Sequence, residues 1–224
     1  MADCYIHMGD FEAARASIVS AKDIDDSNIY VILLEAQLLQ KEGYAAESIK
    51  LLSGQSLLER SADQILFRTG RAYDQLGQTA DACECYTQAL KWNPRMYDAK
   101  LCLLNHEIID NPEKAPGIIS ELKKKLRGKR KAILTNIEAR FIGYNKHQES
   151  EAIRLLESVG ERFRDRQWYA VKIQLFEKMI EKHQQAGRNI LAKQLSGDLE
   201  ETRKVFMETY DTFTPVEADF LPDT

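Results

Sequence analysis

The chain has 224 residues, of which 44% are hydrophobic and 29% charged, with a formal net charge of −4 and a pI near 5.7. That much apolar material can bury a sizeable core, while the mild acidity provides no global basic field, so nucleic acid and anionic membrane are not expected as bulk partners. No apolar run approaches the roughly 18 residues of a membrane span, and the N-terminus lacks the basic-then-hydrophobic pattern of a secretory signal. A cytoplasmic address is expected, with the nucleus as the alternative.

Four cysteines, Cys4, Cys83, Cys85 and Cys102, fall mostly in apolar helical stretches. A chain this long does not need disulfide staples, so they are read as buried thiols. Cys83 and Cys85 on a helix would point about 200° apart, which is wrong for holding one metal ion.

Self-similarity organises the N-terminal part. Gly9, Gly43 and Gly77 recur at a strict interval of 34 residues, in step with Ala2, Ala36 and Gly70, with Tyr5, Leu39 and Tyr73, with Ala14, Ser48 and Ala82, and with Ile18, Leu52 and Tyr86. Each column has a use if the unit is two antiparallel helices joined by a tight turn. A small residue lets backbones approach, a bulky one fills the space beside it, and glycine relieves the turn. The register places Met1 at the seventh position of the first unit, so most of the first two turns of its first helix are missing, as in a piece excised from a longer repeat protein or a stunted cap. The second unit runs from Ile29 to Ala62 and keeps Ala36, Leu39, Gly43, Ser48 and Leu52, but has Gln55 where a small residue fits and Arg60 in place of a proline. The third, Asp63 to Met96, carries Leu66, Gly70, Tyr73, Gly77, Ala82, Tyr86, Ala89 and Pro94.

These offsets resemble the tetratricopeptide repeat, with Leu66 in place of the first large aromatic and Thr69 where a leucine is usual. The resemblance implies an all-α, right-handed α-solenoid of about six antiparallel helix pairs, whose concave wall is made by the first helix of each pair. Carried over by register, the groove positions are Tyr30, Leu33, Gln37 and Gln40, then Gln64, Phe67, Arg71 and Asp74, with Leu101, Asn105 and Ile108 continuing the line. The same positions also suit plain helix packing. Asp3 stands where the chaperone-peptide subtype has an asparagine, and Leu33 and Phe67 where its lysine recurs, so that carboxylate clamp is not expected here.

Beyond Met96 the interval fades but helical periodicity continues. Tyr97 to Ile109 reads as a helix, residues 110–115 as a turn, and Pro116 to Leu126 as a helix with proline at its permissive start. Lys131 to Tyr144 and Glu149 to Phe163 make a fifth pair, with Ala139, Ala152, Leu155 and Leu156 as close-packing positions. Trp168 to Ala186 and Asn189 to Tyr210 make a longer final pair around Gly187. The domain reading is therefore regular units over 1–96, degenerate helical hairpins and capping helices over 97–211, and an irregular or mobile acidic tail over 212–224.

No enzyme signature assembles: there is no phosphate loop, nucleophile elbow, His-Glu-x-x-His or calcium loop. His7, His106, His147 and His183 are scattered, so no metal or other cofactor is expected. Glu200 and Glu201 read as a solvated face. One charge run stands out, Lys123, Lys124, Lys125, Arg127, Lys129, Arg130 and Lys131, seven cations in nine residues. It lacks interleaved aromatics for base stacking and lies at a helix end, where cations suit the dipole. The resulting expectation is a non-enzymatic scaffold that binds a peptide or helix of a partner protein in its groove, within a larger complex or longer protein. The alternatives are a regulatory repeat region attached to an enzyme, and an RNA or anionic-lipid contact through Lys123–Lys131.

Overall fold

The computed structural model describes residues 1–55 and 61–210, so Arg60 and the tail from Thr212 to Thr224 lie outside the described residues. Among the described residues there are twelve α-helices, one 3-10 turn and no strand, as the repeat interval requires. Cα packing divides them into two compact units, Met1–Leu103 and the part from Leu104 onward.

The first unit comprises α1 (Ala2–Met8), α2 (Phe11–Lys22), α3 (Ile29–Lys41), α4 (Ala45–Ser53), α5 (Ala62–Gln75), α6 (Thr79–Trp92) and the start of α7 (Tyr97–Asp110). The turn inside each pair is the same object three times. Gly9, Gly43 and Gly77 have φ of 77°, 88° and 70°, a left-handed backbone that a side chain rarely tolerates. This lets the next amide donate back to the carbonyl five residues earlier: Asp10 to Tyr5 at 3.0 Å, Tyr44 to Leu39 at 2.7 Å and Gln78 to Tyr73 at 2.9 Å. The glycine column and the Tyr5/Leu39/Tyr73 column are thus two halves of one helix-terminating motif. Helix starts are marked too: Asp10 caps α2 by accepting the Ala13 amide, and Asn28 caps α3 by accepting the Tyr30 amide.

The packing columns explain the rest of the interval. Ala14, Ser48 and Ala82 are wholly buried, and the Ser48 hydroxyl is satisfied by the Gln40 amide at 2.9 Å. In each pair a small residue on the first helix is matched by a larger one on the second: Ala2 with Ile18, and Ala36 with Leu52, in two successive clusters. In the third pair the larger residue is Tyr86, and the small one shrinks to Gly70, where an added Cβ would lie 2.6 Å from the tyrosine Cε1.

The second unit contains the last turns of α7, then α8 (Ala115–Lys125), α9 (Gly128–Asn145), α10 (Glu149–Glu157), a 3-10 turn (Glu161–Phe163), α11 (Arg166–Gln185) and α12 (Asn189–Tyr210). Two boundaries differ from expectation. Helix α9 starts at Gly128 rather than Lys131, drawing Lys129, Arg130 and Lys131 into its first turn. Helix α10 ends at Glu157 instead of reaching Phe163, because its terminal carbonyls are taken by other donors. The Leu156 carbonyl accepts the Val159 amide and the Trp168 indole N–H at 2.8 Å, and the Leu155 carbonyl accepts the Ser158 hydroxyl. Gly143 meets Leu175 and Ala152 so closely that a Cβ there would overlap the Leu175 methyl. The α11–α12 pair is closed by aromatic contacts of Tyr169 with Trp168, Phe206 and Tyr210, at centroid separations of 4.8, 6.0 and 6.1 Å.

Glu149 opens α10 with only 5% of its surface exposed, 3.6 Å from the Lys178 ammonium and 3.2 Å from that of Lys182. Burial pushes its carboxyl up, but a backbone amide and the two ammonium groups outweigh this and hold it below the ordinary carboxylate range.

Three outcomes are expected. Gly70→Ala should lower unfolding free energy by about 1–3 kcal/mol, since the Tyr86 ring cannot withdraw. Gly117→Ala, where nothing lies within 4 Å, should be neutral or stabilising by up to about 1 kcal/mol; urea denaturation separates the two. Because the folded-state pKa of Glu149 is depressed, its stabilisation is present above the unfolded carboxyl's pKa and is lost as pH falls through the folded one. Glu149→Gln should therefore cost about 1 kcal/mol at neutral pH and flatten the acid side of a melting-temperature profile.

Candidate functional site

The groove positions separate by burial. Tyr30 is 72% exposed in the first turn of α3, Gln64 is exposed in the first turn of α5, and Leu33, Arg71 and Asp74 are half-buried. Gln37, Gln40, Phe67, Leu101 and Asn105 are buried, so they are corrected here from groove lining to packing. The physical reason is that α5 packs against α3, α4 and α6, which leaves a narrower open stripe than register alone implies. The Phe67 ring lies 5.9 Å from that of Tyr86. Gln37 accepts the Arg68 guanidinium at 2.6 Å, and the Gln40 amide donates to the Arg68 carbonyl at 2.9 Å. These contacts stitch one repeat to the next. In the second unit Asn105 accepts from Arg140, and Ile108 is buried as well.

Arg68 is the residue that sequence reading missed. It lies three positions before Arg71, one turn along α5, so both guanidiniums share a face. Burial lowers the Arg68 pKa to about 10, and the neighbouring Arg71 charge adds to this, while Asp3 of α1 and Asp98 of α7 pull the other way. Asp74 accepts the Tyr86 hydroxyl at 2.5 Å. The first unit therefore holds a partly desolvated Arg68 guanidinium next to Arg71 on α5, within the field of Asp3 and Asp98, and a separate exposed tyrosine ring at the start of α3. Such an arrangement suits a polar backbone or an acidic side chain approached by one aromatic contact. The Arg68 and Arg71 spacing was visible in the sequence; the Gln37 contact that orients Arg68 was not.

A second concavity of about 320 Å³ lies between α2 and α3, with Ile18, Val19, Leu38 and Leu39 in its wall. Ion pairs cross it, Arg15 to Glu42 at 2.5 Å and Lys22 to Glu35 at 2.8 Å.

The basic run is split between the end of α8 and the start of α9. Lys123, Lys124 and Lys125 occupy the last turn of α8, where the dipole favours them. Lys123 pairs with Glu138 at 2.6 Å and Lys125 with Glu121 at 2.5 Å, while Arg127 donates to the carbonyls of Lys123, Lys124 and Leu126. Lys129, Arg130 and Lys131 instead open α9. Among the described residues no three His, Cys, Asp or Glu side chains gather to hold a metal ion, and no helix is long and apolar enough to cross a membrane.

The cysteines are free, but only Cys102 is fully buried; Cys83 and Cys85 are half-buried and Cys4 is exposed, which corrects the expectation of four buried thiols. Cys4 lies on the outward side of α1, whose buried positions are Ala2 and Ile6. Burial pushes the Cys85 thiol up to about 11 and the Cys102 thiol higher still. A thiol reagent at pH 8 should therefore label Cys4 fastest and Cys102 only on unfolding, as mass spectrometry of timed samples would record.

No curated protein matches the chain. Residues 64–96 match the family model of the tetratricopeptide repeat, and this segment is α5, its Gly77 turn, α6 and the link to Met96. It coincides within one residue at its start with the third unit, Asp63 to Met96, delimited by the 34-residue interval. This all-α chain of paired helices thus carries, at residues 64–96, a tetratricopeptide repeat, a unit whose usual role is protein–protein interaction.

Proposed function

We propose that the chain is a non-enzymatic, cytoplasmic scaffold that holds an extended peptide or a helix of a partner protein against the first-helix face of its first unit. Tyr30, Leu33, Gln64, Arg68 and Arg71 are the contact residues. The observation that carries this reading is an exposed aromatic ring at the start of α3 in the same unit as the arginines of α5, Arg68 being tied to α3 through Gln37. Tyrosine contributes large contact area with little rotamer entropy to lose, and a guanidinium already partly stripped of water loses less on binding a carboxylate or carbonyl. The resident carboxylates Asp3, Asp74 and Asp98 keep the guanidiniums oriented and would disfavour a partner segment of indiscriminate negative charge.

The test is affinity capture with the wild-type chain and with Tyr30→Ala, Arg71→Ala and Trp92→Ser, the last on the exposed side of α6. Partners of the face should be lost or weakened about tenfold or more by the first two substitutions and kept by the third, with helicity unchanged by circular dichroism. Retention of every partner by Tyr30→Ala and Arg71→Ala alike would remove this face from consideration.

A further inference from the structure

Two ion pairs join α2 to α3, Arg15 with Glu42 at 2.5 Å and Lys22 with Glu35 at 2.8 Å. On each helix the paired residues are two turns apart, a spacing of about 10 Å. The antiparallel register that makes both pairs sets Ile18 and Val19 opposite Leu39 and Leu38. Between the bridges the helices leave a cavity of about 320 Å³, with these four apolar side chains in its walls. On α3, Glu35, Leu38, Leu39 and Glu42 lie roughly half a turn around the helix from Tyr30, Leu33 and Gln37. The slot thus belongs to the opposite side of α3 from the face proposed above.

The repeat does not require this frame. Thirty-four residues on, Arg15, Val19, Glu35 and Glu42 are succeeded by Ile49, Ser53, Thr69 and Leu76, whereas the columns that pack each pair keep their small or bulky character. The mouth of the slot is open and acidic. Val19 is 53% exposed, and Ile24, in the link that leaves α2, is 88% exposed with Asp23, Asp25 and Asp26 around it. The Asp25 carboxylate accepts the Ser27 amide and hydroxyl, which fixes the shape of that link. Residues 10–42, spanning both helices, carry seven carboxylates against three cations, and Arg15 and Lys22 are two of the three. Exposed apolar side chains rimmed by carboxylates complement a surface of aliphatic or aromatic residues flanked by lysine or arginine.

The geometry points to the α2–α3 slot as a second docking site, for a basic amphipathic helix of a partner protein. One large apolar side chain of that helix enters between the two ion pairs. A second, one turn along, covers Val19 and Ile24, and the flanking cations meet Asp23 and Asp26. A helix fits where an extended segment does not, because a backbone running along the slot would meet a bridge at each end within about 10 Å. The site shares no contact residue with the Tyr30 and Arg71 face and stands or falls independently of it.

Two fluorescent helical peptides of about 14 residues test the inference, one with leucines on one face and lysines on the other, the second with glutamate replacing every lysine. Titrated into the full chain, the lysine peptide should bind one to one, with affinity falling about fivefold between about 50 and about 300 mM salt. The glutamate peptide should bind at least about tenfold more weakly. Val19→Ser with Ile24→Ser should weaken the lysine peptide about tenfold, and Asp23→Asn with Asp26→Asn about fivefold at low salt. All four side chains are exposed, so helicity should be unchanged by circular dichroism. Tyr30→Ala with Arg71→Ala should leave the affinity as it is. Hydrogen exchange should slow over residues 17–26 and 35–42 on adding the lysine peptide, and not over 64–75. Absence of binding by the lysine peptide, equal binding of the two peptides, affinity undiminished by Val19→Ser with Ile24→Ser, or loss of binding in the Tyr30→Ala, Arg71→Ala chain would overturn the inference.

Discussion

Two short helices pack closely when a small residue of the first lies against a larger one of the second. Gly70 under the Tyr86 ring is the tightest instance, and Ala2 with Ile18 and Ala36 with Leu52 are its looser counterparts. The left-handed glycines serve the same contact. By ending the first helix abruptly and returning the next amide to the chain, they hold the second helix antiparallel and near enough to be packed. Without that geometry the 34-residue interval would be a pattern with nothing to pack against.

Close packing between pairs also decides what remains open for binding. Where repeats meet, Gln37 and Gln40 hydrogen-bond to Arg68 rather than to solvent, and Phe67 turns toward Tyr86. Buried polar side chains need partners, and here one repeat supplies them to the next. The face left over is narrow, carrying Tyr30 at one edge and the guanidinium pair on α5. There Arg68 lies beside Arg71 and within the field of Asp3 and Asp98 instead of standing as an isolated cation.

In the second unit charge placement follows helix polarity in some places and opposes it in others. Glu149 at the start of α10 and Lys123–Lys125 at the end of α8 agree with the dipole, and Glu149 gains a further hold on α11 through Lys178 and Lys182. Lys129, Arg130 and Arg166 disagree with it.

Periodicity was legible in the sequence because backbone geometry imposes it. The glycines at 34-residue spacing, the small and bulky columns and the all-helical class follow from local rules that involve residues at most one unit apart, and the repeat matched at residues 64–96 lies where those columns are most complete. Which side chains stay exposed was decided only by the tertiary structure. Register treats Tyr30 and Phe67 alike as first-helix positions, yet one is open and the other buried, because exposure depends on what neighbouring repeats bring to the same face. The same holds for the run from Lys123 to Lys131: contiguous in sequence, it is divided by the α8–α9 junction into one group at a favourable helix end and another at an unfavourable one. Linear spacing carries no information about which charge, such as that of Asp165, will lie within the field of Lys129.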